Sequence, residues 1–227
     1  TLVGAGLVMM PLLALVLIQP DLGTSLVFGA ILLGALFMSG ASLRWLAVTV
    51  MVVMALIPVA WQFVLRDYQK QRLVSFLDPG ADPLGSGFQL QQSQITVSSG
   101  GLFGRGLTNS VAGQNLPVGS TDFVYARVGA ELGFLGGRVL LVLFAMLIWR
   151  VLLVGWKSDD TFTLAFSGGI AGMLLFQMIV NIGMVLGVMP ITGLPLPFVT
   201  YGGASLLSAA LGLGILESLA MSRSRSG

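Results

Sequence analysis

The segment 161–216 reads TFTLAFSGGIAGMLLFQMIVNIGMVLGVMPITGLPLPFVTYGGASLLSAALGLGIL and contains no charged residue. A transmembrane helix needs about 20 consecutive apolar residues, so this segment is long enough for two of them. Between the two, residues 189–203 (MPITGLPLPFVTYGG) hold three prolines and three glycines. Regular helix does not continue through such a stretch, because proline lacks an N–H donor and clashes with the preceding turn. We therefore predict two membrane spans separated by a broken segment.

The composition extends this conclusion to the whole chain of 227 residues. Hydrophobic residues make up 56% and charged residues only 9%, whereas a soluble domain carries about 25% charged residues. The sequence therefore predicts an all-α integral membrane protein, a polytopic helical bundle surrounded by membrane lipid. The absence of Cys and His excludes disulfides, zinc–thiolate sites and imidazole chemistry. The net charge of +2 gives no indication of nucleic-acid binding.

Charge-free runs predict six spans in three regions. Residues 1–65 hold three transmembrane helices, residues 66–121 form a long extracytoplasmic loop with short amphipathic helices, and residues 122–227 hold three more helices with the broken outer segment at 189–203. Cytoplasmic loops carry an excess of Lys and Arg, and the cations that we place inside are Arg44, Arg150, Lys157, Arg223 and Arg225. Because the chain begins without Met or a basic signal region, we expect it to be a piece of a longer polypeptide.

The sequence allows more local predictions within the long loop and within the fourth hydrophobic stretch. Residues 66–77 (RDYQKQRLVSFL) predict an amphipathic helix, and residues 87–99 fit either a helix or a strand. The hydrophobic stretch 122–156 is too long for one perpendicular span, so we expect it to project beyond the membrane, tilt, or bend at Gly136–Gly137.

Asp122 is the most suggestive candidate for a site residue. It follows a Gly- and Ser-rich loop, opens a hydrophobic helix and would lie at the outer membrane surface. Asp is also a favoured residue at helix N-termini, where its side chain accepts hydrogen bonds from main-chain N–H groups. A capping role and a role as a reactive carboxylate both remain open.

Charged residues near the membrane form two further candidate groups. Arg127 and Glu131 are four residues apart on one predicted helix, with Arg138 further along, so they form either an ion pair that neutralises charge in lipid or a polar pathway. The outer loop carries Lys70, Arg72 and Arg105, which suit anionic lipid headgroups or a phosphorylated substrate. The glycine-rich residues 100–106 could wrap a phosphate with main-chain N–H groups.

Several short motifs occur in a defined order along the chain. They are PDLGT (20–24), LDPGADPLGSGF (77–88), QSQITVSSGGLFGRG (92–106), TDF (121–123), AELGFLG (130–136), GLPLPF (193–198) and YGGAS (201–205). In this order they resemble the SEDS family (shape, elongation, division and sporulation), which includes the RodA, FtsW and SpoVE proteins. The DPLGSGF stretch is more similar to RodA than to FtsW.

The resemblance implies a peptidoglycan glycosyltransferase of the bacterial cytoplasmic membrane. Such a protein polymerises lipid II, a disaccharide peptide on undecaprenyl pyrophosphate, during cell-wall elongation and works with a class B penicillin-binding protein. Family members have about ten spans, so about four would precede residue 1. The essential Asp of the family's T-D-F motif matches Asp122. Residues 116–120 supply neither the Glu nor the His that usually precede this motif, and Ala204 stands where Ser is usual.

The implied chemistry needs a general base and positive charge near a leaving diphosphate. Asp122 is the catalytic candidate. The candidates for substrate binding are Lys70, Arg72, Gln92, Arg105 and Arg127, with Glu131 and Asp21 in supporting roles. The sequence requires no cofactor and leaves metal ligands unassigned, and a divalent cation is an optional addition. Two other classes stay open: a flippase for a lipid-linked precursor, with a polar path through the charged fourth span, and a non-catalytic membrane scaffold for a penicillin-binding protein.

Overall fold

A computed structural model describes residues 21–63, 65–78, 85–106 and 120–224, together with single positions between 4 and 19 and at 80 and 82. Its elements are α1 (Leu22–Met38), α2 (Leu43–Phe63), α3 (Asp67–Leu77), α4 (Ser86–Ser99), a 3-10 turn (Ser120–Phe123), α5 (Val124–Trp156), α6 (Thr161–Leu186) and α7 (Gly203–Ser224). These ranges contain helices and no strand. The predicted all-α, polytopic membrane fold is confirmed.

Four helices are long and apolar enough to cross a membrane: α2, α5, α6 and residues 203–222 of α7. They coincide with four of the six predicted spans. The first predicted span, within residues 1–19, falls mostly outside the described residues. The second corresponds to α1, which has 17 residues and ends at Met38, although the charge-free sequence continues to Leu43.

The early end of α1 has a local cause. Gly40 adopts a left-handed conformation with φ of 79°, and its N–H donates to the carbonyl of Phe37, while the N–H of Ala41 donates to the carbonyl of Leu36. This is the Schellman pattern, in which a left-handed residue turns the chain back onto the last carbonyls of the helix. Glycine at residue 40 therefore stops the helix before the apolar sequence ends.

The chain forms two compact units. The first comprises Thr1–Leu65, Met146–Phe176 and Ala204–Gly227, and the second comprises Arg66–Ala145 and Gln177–Gly203. In the first unit, α1 meets the first half of α6 where a Cβ atom on Gly34 would clash with the main chain of Gly168, and one on Gly168 would clash with the main chain of Gly34. Close approach of this kind is typical of membrane helices, since it increases van der Waals contact where water is absent.

Two helices of the second unit correspond to the two local predictions for the loop, at residues 66–77 and 87–99. α3 shows that residues 67–77 are helical, as expected, and α4 shows that the ambiguous stretch 87–99 is helical. Asp82 caps α4 by accepting hydrogen bonds from the N–H (2.9 Å) and Oγ (3.1 Å) of Ser86. Further along α4, two side chains contact the end of α6. Ser93 donates through Oγ to the carbonyl of Val185 (3.1 Å), and Gln94 donates through Nε2 to the carbonyl of Leu186 (3.2 Å). α4 thereby satisfies carbonyls at the C-terminal end of α6 that have no partner within that helix.

The interruption of α5 lies at Gly133 and not at Gly136–Gly137, where a bend was one of the three expectations for this stretch. Gly133 has φ of 68° and ψ of −167°, a combination that only glycine adopts readily. The break exposes main-chain groups of α5, and the glycine-rich segment 100–106 pairs with them. Arg105 N–H donates to the Ala130 carbonyl (3.0 Å), and Phe134 N–H donates to the Gly101 carbonyl (2.9 Å). The break is therefore sustained by a segment about 30 residues earlier in the chain, which a local sequence pattern does not reveal.

Candidate active site

Asp122 lies in the 3-10 turn Ser120–Phe123, immediately before α5. Its side chain is partly exposed, while the next residue, Phe123, is 4% exposed and belongs to the hydrophobic core of the second unit. This core also contains Leu90 of α4 and Met184 of α6. Burial of Phe123 thus fixes the turn against two helices and leaves the carboxylate of its neighbour at the surface of the unit.

The predicted broken segment follows α6 and faces this turn. Between Leu186 and Gly203 the chain is irregular, as the prolines require, and Phe198 has a left-handed φ of 65°. A local hydrogen bond from the Leu196 N–H to Thr200 Oγ1 (2.8 Å) stabilises the turn around Phe198. Left-handed non-glycine residues are uncommon and concentrate at functional positions.

Arg72 reaches the same region from α3. Its Nη1 donates to the carbonyl of Ile191 (3.5 Å), and its guanidinium lies 5.9 Å from the centre of the Tyr68 ring. A Cβ atom placed on Gly193 would lie 3.4 Å from Oδ2 of Asp122 and 4.0 Å from Nη1 of Arg72. The carboxylate and the guanidinium therefore flank Gly193, and glycine leaves the space beside them without a side chain.

Asn181 of α6 connects the two segments that carry this arrangement. Its Nδ2 donates to the main-chain carbonyl of Asp122 (2.9 Å) and to that of Leu194 (2.7 Å), and the residue is completely buried. Sequence reasoning missed Asn181 and Gly193. The available signal was a polar amide within a charge-free apolar helix, since such residues in membrane helices usually form hydrogen bonds between segments.

The other predicted site residues occupy different environments. Arg127 and Glu131 form the expected i,i+4 ion pair (2.8 Å), with Arg127 58% and Glu131 13% exposed. Arg105 donates through Nε to the carbonyl of Ser99 (2.9 Å) at the end of α4. Lys70 lies on α3 two residues before Arg72, and residues two apart point to different sides of a helix.

The last two predicted residues lie on α4 and at the start of α1. Gln92 lies on α4 and is partly buried, and its main-chain carbonyl accepts a hydrogen bond from Thr96 Oγ1 (2.7 Å). Asp21, in the first unit, caps α1 by accepting a hydrogen bond from the Thr24 N–H (3.0 Å). Capping by Asp is a common stabilising role, which accounts for Asp21 without a role in the site.

Three N–H groups of the glycine-rich segment 100–106 are not available for the phosphate cradle that we considered. The N–H groups of Gly104, Arg105 and Gly106 already donate to the carbonyls of Gly100, Ala130 and Glu131, at 2.8–3.0 Å. An N–H group that is bonded to a carbonyl is not available to wrap an anion. For these three groups the prediction was wrong, because the segment pairs with the break in α5.

The described residues contain no group of three or more Asp, Glu, His or Cys side chains that could hold a metal ion. Asp122 is therefore not part of such a cluster within the described residues.

The fold and the site define a class: a polytopic α-helical membrane protein in which an aspartate and an arginine converge on a broken segment between two spans. Residues 1–225 match the family model for FtsW, RodA and SpoVE, described as "Cell cycle protein". The chain belongs to this family.

The relatives specify this membership further. The chain is 44% identical over 215 residues to "Peptidoglycan glycosyltransferase MrdB" of Escherichia coli K12. This aligned region covers 94% of this chain and 58% of that protein. The chain in "Structural coordination of polymerization and crosslinking by a peptidoglycan synthase complex" matches with a TM-score of 0.78 at 35% identity, over 96% of this chain and 61% of that one. The rod shape determining protein RodA of Thermus thermophilus matches with a TM-score of 0.61 at 30% identity, over 94% and 54%. The chain thus spans somewhat more than half the length of these relatives.

Proposed function

We propose that the full-length protein is a peptidoglycan glycosyltransferase that polymerises lipid II at the outer face of the bacterial cytoplasmic membrane. The relative from Escherichia coli carries the name of this activity. The observation that carries the proposal is the convergence of the Asp122 carboxylate and the Arg72 guanidinium beside Gly193. A base and a cation flanking one open position supply the two functions that transfer of a sugar from a diphosphate requires.

In the proposed reaction Asp122 is the general base. It accepts the proton of the 4-hydroxyl of an acceptor GlcNAc as that oxygen attacks C1 of the donor MurNAc. The new glycosidic C–O bond forms as the bond from C1 to the diphosphate oxygen breaks, so undecaprenyl diphosphate leaves with the bonding electrons. A direct displacement of this kind inverts C1 and needs one base, in contrast to the paired carboxylates of glycoside hydrolysis.

Arg72 is the proposed partner of the leaving diphosphate, whose negative charge increases in the transition state. A guanidinium suits this role because it donates two parallel hydrogen bonds to phosphate oxygens. Arg127, Arg105, Lys70 and Gln92 remain candidates for contacts with more distant parts of the substrate. A divalent cation remains an optional addition, which Asp122 and the phosphate oxygens of the substrate would hold and which would supply further positive charge near the leaving group.

The proposed partner is a class B penicillin-binding protein that crosslinks the new strand. One structural relative belongs to a complex whose description joins polymerisation with crosslinking. Similarity to RodA favours a role in cell-wall elongation over a role in division.

The decisive experiment measures glycan formation from fluorescent lipid II by the purified full-length protein with its partner, separated on gels. Asp122→Asn should lower the initial rate by about a hundredfold to ten-thousandfold, the usual contribution of a general base. Asp160→Asn is the matched control, because it makes the same chemical change at a residue that caps α6, and it should polymerise like the wild type.

The alternatives predict other outcomes. An Asp122→Asn variant that polymerises at the wild-type rate would remove Asp122 from the mechanism. If the pair makes no glycan but moves labelled lipid II between leaflets, the protein is a flippase. If it does neither, while crosslinking by the partner still depends on it, the protein is a scaffold.

A further inference from the structure

Asn181 is a buried amide whose two N–H groups are both engaged. It is 0% exposed, and Nδ2 donates to the carbonyls of Asp122 (2.9 Å) and Leu194 (2.7 Å). The orientation of the amide follows from these partners, because the opposite orientation would set Oδ1 against two carbonyl oxygens. Asn181 is therefore a double donor by the chemistry of its surroundings.

The two hydrogen bonds join segments that lie outside the regular helices. Asp122 belongs to a single 3-10 turn, and Leu194 belongs to the broken segment after α6. Neither has the continuous ladder of main-chain hydrogen bonds that holds a helix rigid. α6 is a regular helix of 26 residues, so Asn181 ties both irregular segments to a rigid support.

The hydrogen bonds act next to the groups of the site. Fixing the Asp122 carbonyl restrains the main chain from which the carboxylate projects. Fixing the Leu194 carbonyl restrains the residue after Gly193, which the carboxylate and Arg72 flank. A general base needs its substrate proton within hydrogen-bond distance, and a misplacement of about 1 Å can lower a rate by about a hundredfold.

Packing alone does not account for an asparagine here. Within the described part of the chain, Oδ1 of Asn181 is buried without a hydrogen-bond partner, and a buried polar atom without a partner is unfavourable. An apolar residue of similar size would avoid that cost but would lack the two donors. The donors are thus the feature that this position provides.

We propose that Asn181 is the positioning residue for Asp122: it holds the main chain of the base and the broken segment at one fixed separation. This inference rests on the proposed function, since it assigns Asn181 an effect on the rate through Asp122. Asn181 itself does not touch the reacting atoms.

The test compares Asn181→Leu with Gln177→Leu in the full-length protein with its partner. Gln177 lies one turn earlier on α6, is 9% exposed, and also has a buried amide oxygen that accepts no hydrogen bond from the described residues. Both variants replace a buried amide by leucine at neighbouring positions. Asn181→Leu should lower kcat for lipid II polymerisation by about 10- to 100-fold relative to Gln177→Leu. KM and the stoichiometry of lipid II binding should match the control.

The binding stoichiometry separates positioning from a structural role. If Asn181→Leu only unfolds part of the sample, the number of binding sites falls in proportion to the rate, and the proposal is overturned. A kcat equal to that of the control overturns it as well. Should Asn181→Leu fail to fold, Asn181→Asp is compared with Gln177→Glu instead, because each keeps the shape of the side chain while replacing a buried amide by a carboxyl group.

The parallel assay of Asp122→Asn distinguishes a failure of the proposed function from a failure of the positioning role of Asn181. If that variant keeps the wild-type rate, the proposed base is wrong and Asn181 has no base to position. If it is inactive while Asn181→Leu behaves like Gln177→Leu, the proposed function stands and only the positioning role fails.

Discussion

The contact between α1 and α6 and the contact between residues 100–106 and α5 both depend on glycine, but for different physical reasons. At Gly34 and Gly168 both helices are continuous, so their main-chain hydrogen bonds are satisfied internally, and glycine serves by its lack of a side chain. At Gly133 the helix is interrupted, and glycine serves by a conformation that other residues rarely adopt.

The difference shows how a membrane protein can bring irregular main chain close to its spans. Unpaired N–H and C=O groups are costly away from water, so an interrupted helix needs another segment to pair with it. Residues 100–106 do this for α5: Gly106 N–H donates to the Glu131 carbonyl (3.0 Å), and Leu135 N–H donates to the Leu102 carbonyl (3.2 Å). The first contact should therefore respond to side-chain size alone, and the second to main-chain conformation as well as to side-chain size.

The largest effect is expected for Gly133→Ala. The new side chain would occupy a main-chain conformation that is nearly restricted to glycine, and its Cβ would lie 2.6 Å from the carbonyl oxygen of Leu102. Strain and overpacking together should destabilise the protein by roughly 4 kcal/mol. The measurements are the melting temperature in detergent and hydrogen exchange at Phe134 and Leu135, which should become faster.

Gly214→Ala is the control for this change, because a Cβ on that residue of α7 would meet no heavy atom within 4 Å. It should be neutral or slightly stabilising, since alanine favours helix over glycine. Equal melting temperatures for Gly133→Ala and Gly214→Ala would mean that the interruption of α5 does not require glycine.

A smaller loss is expected for Gly34→Ala or Gly168→Ala. Each added methyl group would meet the main chain of the other helix, and inserting a methyl group into a closely packed contact costs about 1–3 kcal/mol. Gly29→Ala is the matched control on α1, because a Cβ there would meet no heavy atom within 4 Å. Thermal unfolding should place Gly29→Ala at or above the wild type and the other two below it.

The double variant sharpens this result. Once one alanine has separated the helices, the second alanine meets a wider gap. The loss of stability in the double variant should therefore be smaller than the sum of the losses in the two single variants. Fully additive losses, or a Gly34→Ala variant as stable as Gly29→Ala, would show that α1 and α6 are not in close contact at these residues.

The sequence predicted the features that depend on composition and local pattern. The scarcity of charge gave the all-α membrane fold, the prolines of 189–203 gave the broken segment, and the pattern of 66–77 gave α3. Gly136–Gly137 was the position considered for a bend in α5, as one of three alternatives, because two adjacent glycines are the stronger local signal. The true position of the interruption depends on which glycine faces residues 100–106, and that is a tertiary contact.

The residues of the candidate site also divide into those that a local pattern identifies and those that depend on tertiary contacts. Asp122 could be found from its motif and its place before a hydrophobic stretch. Arg72 could be named only as one of several cations, because its distinction from Arg105 depends on the carbonyls that each side chain reaches. Asn181 was missed because an amide in an apolar helix has no pattern of its own, and its two partners lie 59 and 13 residues away.

The smallest expected effect is on the pH dependence of stability and comes from Asp160, which caps the start of α6. The contact at Gly34 and Gly168 contains no charged group, so pH dependence in this region should come from the ends of its helices. Asp160 accepts hydrogen bonds from Thr163 Oγ1 (3.0 Å), the Thr163 N–H (3.1 Å) and the Phe162 N–H (3.2 Å). These bonds favour the carboxylate, with the Thr163 hydroxyl contributing most, and hold the pKa of Asp160 below its ordinary value of 3.8.

A lowered pKa in the folded protein means that the cap contributes its full stability above pH 3.8 and loses it as the pH falls through the lower folded value. Asp160→Asn keeps a good capping residue but cannot titrate, so its melting temperature should fall less than that of the wild type between neutral pH and about pH 3. Asp160→Ala removes the cap and should lower the melting temperature at neutral pH, where Asp160→Asn stays close to the wild type. The assignment fails if the wild type and Asp160→Asn lose stability in parallel on acidification, because the acid-sensitive group then lies elsewhere.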